Sequence, residues 1–105
     1  MNKYYALNDS MRSSLWKFPV HIDFEITTNY LYQLRSIDYS KTITFDLSET
    51  EIVHSSFIGF MIDLKEKILR SGGIFEVRLS PQLIKHFSRM NIYDHFIPQA
   101  IPEAI

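Results

Sequence analysis

The chain has 105 residues, a formal net charge of −1 and an apolar fraction of 46%. That is enough for the core of one domain and too apolar for a disordered segment. Acids and bases are interspersed with no basic stripe, which argues against a nucleic-acid partner, and the absence of cysteine excludes disulfides and thiolate metal sites.

Taken in chain order, residues 3–7 read as a first strand, and Asn8-Asp9-Ser10 has turn chemistry, because Asn and Asp bond to their own backbone. Residues 15–18 read as the returning strand, stopped by Pro19, which has no N–H for a ladder. Residues 21–26 read equally as extended chain or loop. Thr27 or Thr28 is the expected cap of a helix running to about Ile37, with Leu31, Leu34 and Ile37 at helical spacing. Thr42–Leu47 alternates Ile43, Phe45 and Leu47 with Thr42, Thr44 and Asp46, the pleat of a strand. A loop, SETEIVH, leads to a helix from about Ser56 to Arg70, ended by Ser71-Gly72-Gly73. Ile74–Leu79 alternates again. Ser80-Pro81 is an N-cap followed by proline at the first helical position, and Leu83, Ile84, Phe87 and Met90 form one face of the helix it opens. Asn91 closes that helix in the left-handed region with Ile92 folding back, and residues 97–105 form a short tail expected to pack across the surface.

The order strand, strand, helix, strand, helix, strand, helix predicts an α/β domain built on parallel βαβ crossovers, with a mixed sheet of four to five strands and helices mainly on one face. No apolar run approaches the ~20 residues that span a bilayer, and the first ten residues lack the apolar core of a signal peptide. The expectation is a soluble protein of the reducing cytoplasm, without direct membrane insertion.

Ser55 and Ser56 stand between a β-branched run and a helical run, in IVHSSFIGF. A serine at a helix start has an ordinary task, accepting an orphan backbone N–H, worth roughly 0.5–2 kcal/mol. The same place suits a phosphate, because free N–H groups and the helix dipole favour negative charge there. On the helix that follows, Phe57, Met61, Leu64 and Ile68 share one face, and Ile58, Ile62 and Leu69 form a second stripe. That second stripe is either part of a wide core face or a partly exposed docking patch.

Other constellations carry less. His21, His54, His86 and His95 form no metal-binding motif, and nothing in the chain calls for a cofactor. His54 and Ser55 adjoin, but chain neighbours seldom aim their tips at each other, and no third group is evident to make a triad. Gly72-Gly73 follows a helix instead of preceding one, so it is a turn and not a phosphate loop. The tyrosines at 4, 5, 30, 32, 39 and 93 lack the basic groove of a nucleic-acid stacking platform. The chain has no catalytic constellation that would make it an enzyme.

The series FDLS, SS, a glycine three positions after Ser56, SGG, an alternating strand, SPQ and MNIYDHF resembles the STAS domain family, of the anti-sigma-factor antagonist type. The match runs over residues 42–96, and the N-terminal part agrees only in its order of elements. The resemblance implies a single STAS-like domain over residues 1–105 in a small bacterial cytosolic regulator. It implies a partner that is both an anti-sigma factor and a serine kinase, and that phosphorylates the serine at the start of the second helix to break the complex. That serine is Ser56 here, with Ser55 the less favoured neighbour. Asp46 matches the acid of the strand-end motif and Gly59 the second glycine of the loop. The partner-binding set so implied is Asp46, His54, Ser55, Ser56, Phe57, Ile58, Gly59 and Ile62. Two positions depart: His54 stands where the family usually has an acid, and Phe57 where it has glycine. The alternative is a constitutive STAS binding module without the switch, an accessory subunit of a larger assembly such as a transporter or signalling complex. Neither the partner's identity nor the oligomeric state follows from the sequence.

Overall fold

The computed structural model describes residues 6–9, 13–96 and 100–102. Within them the chain forms β1 (Ala6–Asp9), β2 (Ser13–Lys17), β3 (His21–Ile22), α1 (Phe24–Leu34), β4 (Thr42–Leu47), β5 (Ile52–Val53), α2 (Ser55–Arg70), β6 (Ile74–Leu79), α3 (Pro81–Arg89) and β7 (Ala100–Pro102). This is a small α/β domain with three helices and a mostly parallel sheet. The sheet runs β1-β2-β4-β6-β7, with β1 antiparallel to β2 and each later neighbour parallel. β3 and β5 make a separate parallel pair.

Strand alternation decides where the core sits. Trp16, Phe45 and Val77 lie in one register row, and Ile43 and Phe75 in another, all buried on the same face. Onto that face α1 brings Tyr30 and Leu34, α2 brings Phe57, Met61, Leu64 and Ile68, and α3 brings Leu83 and Phe87, forming one continuous core. The other face carries Lys17, Asp46 and Arg78 side by side in register, each half-buried.

Several local expectations shift. Residues 3–5 of the first expected strand, Ser10 of the turn and most of the tail lie outside the described residues. Asn8 and Asp9 do not turn: they pair with Leu15 and Ser14, so the ladder outweighs their local turn preference. The returning strand starts earlier, at Ser13, and Trp16 turns its indole N–H onto the buried Ser14 hydroxyl at 3.1 Å. α1 begins before Thr27 because Asp23 caps it, accepting the Ile26 N–H at 2.8 Å. Thr27 and Thr28 sit inside the first turns and donate back to the carbonyls of Asp23 and Phe24. Tyr30 takes the core position, its hydroxyl on the Lys17 carbonyl, so Leu31, one step around the helix, is turned to solvent. The helix stops at Leu34 instead of Ile37, its last carbonyl taken by the Tyr39 hydroxyl at 2.7 Å. In the tail, Ala100–Pro102 adds a strand beside β6 instead of lying across the surface.

The C-terminal ends of α2 and α3 close as their residues require. Gly72 has φ 82 and Asn91 φ 58, and after each the next N–H reaches back, Gly73 to the Ile68 carbonyl and Ile92 to the Phe87 carbonyl. Ser80 caps α3 from a buried position, accepting the Leu83 N–H and donating to the Thr50 carbonyl at 2.6 Å. Ser80→Ala leaves both groups without partners in the interior and is expected to cost about 1–2 kcal/mol, read as a lower urea midpoint with unchanged m.

Candidate functional site

The chain that leads into α2 is held by the small β3–β5 pair. The His54 N–H donates to the Ile22 carbonyl at 2.8 Å, and the N–H groups of Glu51 and Ile52 both donate to the Val20 carbonyl. Because β3 and β5 run parallel and each leads into a helix, α1 and α2 start at the same end of the domain. The rings of Phe24 and His54 meet edge to face there, 5.8 Å between centroids.

Neither serine is the cap. His54 is the N-cap residue, and its Nδ1 accepts the Ser56 N–H at 3.1 Å. The Ser56 hydroxyl lies 2.7 Å from the same nitrogen. With the lone pair of Nδ1 turned toward the amide, the ring proton sits on Nε2 and the serine hydroxyl is the donor. Ser56 is therefore held at two points by one imidazole, whereas chain adjacency alone pairs His54 with Ser55. The two-residue spacing across an N-cap was the signal: an N-cap side chain reaches the residue two positions on. Among the described residues, no hydrogen bond from the His54 ring to a third side chain is seen.

Ser55 is exposed and Ser56 half-exposed. At the same end of the domain lie exposed apolar side chains: Phe24 at 63% of its free accessibility, Ile52 at 55% and Val20 at 51%. These three were not singled out from sequence; Val20 and Ile52 look like ordinary loop and strand residues until the β3–β5 pairing brings them together.

The remaining expected site residues divide. Gly59 is exposed on α2, and Ile62 is half-buried against the core. Phe57 is fully buried and Ile58 nearly so, which removes both from the surface available to a partner and makes them packing residues. Leu69, from the same second stripe, is exposed at the far end of the helix. Asp46 lies on the opposite face of the sheet from α2, since its neighbours Phe45 and Leu47 point to the core. Burial raises its pKa, but hydrogen bonds from the Ser48 hydroxyl and N–H, with Lys17 and Arg78 nearby, more than offset this, and its carboxyl is held below the ordinary carboxylate value. A depressed folded-state pKa adds stability above the unfolded value of about 3.9, lost as pH falls through the folded value. Asp46 thus closes a strand end and does not join the serine pair.

Beside Ser56 a groove of about 240 Å³ runs between α1 and α2, lined by Leu31, Arg35, Gly59, Phe60 and Lys67 among others. Among the described residues, no group of acidic or histidine side chains could hold a metal ion, and no helix is long and apolar enough to cross a membrane. No family model matches the chain, and no curated protein matches it.

His54 is an uncommon N-cap, and aspartate is among the best. His54→Asp is expected to raise stability at neutral pH by about 0.5–1 kcal/mol, through a stronger cap and a favourable charge at the helix start. Thermal melts of the two proteins, recorded side by side, test this.

Proposed function

We propose that the chain is a regulatory protein-binding domain of the STAS type, acting in the bacterial cytoplasm. It docks an anti-sigma factor with serine-kinase activity through the start of α2, and is released when Ser56 is phosphorylated. What supports this reading is the position of Ser55 and Ser56 in an accessible first helical turn, with exposed Phe24 against the His54 ring and exposed Val20 and Ile52 paired on the segment that leads into it. Solvent-facing apolar side chains grouped beside a modifiable hydroxyl suit a docking surface under covalent control. A small α/β domain with three helices and a mostly parallel sheet also supports this reading.

The His54–Ser56 pair gives the switch a physical route. Esterification of the Ser56 hydroxyl removes the proton it shares with Nδ1 and sets about −1.5 to −2 charges of acceptor oxygens against a nitrogen lone pair. Two acceptors cannot share a contact of this length, so Nδ1 must carry a proton and donate to the phosphate, or the ring must turn away; in both cases the Ser56 amide loses its acceptor. Either way the first turn of α2 changes shape and charge together. A dianion at Ser56 also carries a large desolvation cost in any interface that covers it.

The experiment is peptide mass spectrometry of the protein isolated from its own cells, run beside pull-downs with wild type, Ser56→Ala and Ser56→Asp. The expected result is phosphate on Ser56, a partner retained by the alanine variant and lost from the aspartate variant. The engagement of the Ser56 hydroxyl by His54 favours a second reading, a constitutive module in which the pair is a permanent cap. An unmodified Ser56 and one partner list for all three proteins select that reading and exclude the switch.

A further inference from the structure

We propose that the groove between α1 and α2 seats an α-helix of a protein partner, lying antiparallel to α2. This rests on reading the domain as a protein-binding module, and it does not depend on phosphorylation of Ser56.

The first observation is Gly59. It sits within the first half of α2, exposed, and nothing lies within 4 Å of where a Cβ would be. Alanine fits there without contact and favours a helix more strongly than glycine does. No packing inside the domain therefore calls for a bare backbone at this point, whereas a second helix crossing α2 closely does.

The second observation is the shape and lining of the groove. Its floor is apolar, with Phe60 and Leu64 from α2 and Leu34 from α1, and Leu31 on its wall is 47% exposed. At about 240 Å³ it falls below the roughly 300–1,000 Å³ of small-molecule pockets. That volume suits a few side chains projecting from one helical face. From Ser56 to Lys67 the groove follows about 16 Å of helix, or three turns.

The third observation is its charge. There is no lysine or arginine from Phe18 to Leu34, nor from Leu47 to Leu64. The groove's own lining is uncharged near Ser56 and Gly59; beyond that end, where both helices start, the surface carries exposed Asp23, Glu25 and Glu51, with no lysine or arginine from those two segments. The far end of the groove carries Arg35, held over the Tyr32 ring at 5.2 Å, and Lys67, whose pairing with Asp63 at 4.0 Å is solvent-exposed and weak. A helix with acidic residues in its first turn and basic residues in its last matches this polarity only when antiparallel to α2. Such a helix also satisfies its own macrodipole.

The test uses two synthetic amphipathic peptides of about 18 residues, long enough to sample the helix in isolation. One carries glutamates in the first turn and lysines in the last; its isomer has these charges exchanged. Binding is followed by amide NMR shifts and by fluorescence anisotropy. The first peptide is expected to saturate, shifting Leu31, Gly59 and Phe60, and the isomer to bind about tenfold or more weakly. Gly59→Leu, whose Cβ meets nothing and whose helix propensity is better, is expected to keep or raise Tm while weakening the first peptide by about tenfold or more. Equal affinity for the two isomers, no saturable binding of either, or undiminished binding to Gly59→Leu would each overturn the proposal. Concentration-dependent broadening of the groove residues without peptide would make a second copy the occupant and overturn it too. If the peptide binds as expected while native Ser56 carries no phosphate, the groove assignment stands and the switch falls.

Discussion

Gly73→Ala is expected to be among the most damaging single substitutions in the domain, lowering stability by about 3 kcal/mol or more and Tm by roughly 12–24 °C. Gly73 is not in the left-handed region; its constraint is space. A Cβ there would press into the carbonyl oxygen of Tyr39 and lie 2.5 Å from that of Lys41, with the Ile68 side chain at 3.0 Å behind. Backbone oxygens cannot rotate aside as a side-chain tip can. Relief requires moving the α1–β4 connection, which the Ile74 N–H ties to the Lys41 carbonyl at 3.1 Å, at the mouth of the β4–β6 ladder. Gly72→Ala is the comparison: it meets nothing, and its φ of 82 costs about 1–2 kcal/mol. Urea unfolding of both variants checks the ranking, and a Gly73→Ala protein as stable as Gly72→Ala would contradict the close approach.

Phe57→Ala is expected to cost about 3–5 kcal/mol, leaving the domain marginal or unfolded. The ring stands at the junction of three elements, 5.1 Å from Phe18 and 6.1 Å from Phe45 between centroids, with Phe60 at 5.8 Å on its own helix. The aromatic pairs and the buried area vanish together in alanine, and the cavity opens where α2 meets the sheet. Phe57→Leu keeps most of the volume and should fall well short of that loss. Near-ultraviolet circular dichroism and thermal melts separate the cases. A wild-type melting curve for Phe57→Ala would mean the ring is not where the helix is anchored.

These two positions show what the sequence could and could not convey. Alternation in TITFDL and IFEVRL was legible because a strand with one buried face has no other pattern available, and Ser80-Pro81 and Gly72 were legible because their chemistry is local. The face containing Phe57, Met61, Leu64 and Ile68 was legible for the same reason, and all four are buried. The start of α1 was misread because threonine and aspartate are both good caps, and only the chain path through β3 selects Asp23. The candidate site was half legible. The serine pair stood out by type and position, but the imidazole that holds Ser56 depends on His54 taking the extended N-cap conformation, and the exposed group of Val20, Phe24 and Ile52 depends on pairing across about 30 residues of chain. Phe57, suspected of facing a partner, was already assigned by its spacing to the core face, and the spacing was the better guide.

The strand order has a consequence for how the domain is made. In the large sheet each strand lies beside the one synthesised before it, and none is inserted between two earlier ones. On a ribosome the N-terminal hairpin can close first, and each later helix and strand then docks on an edge already finished. No completed pairing has to be reopened, so the strand order permits assembly in one direction, from β1 to β7.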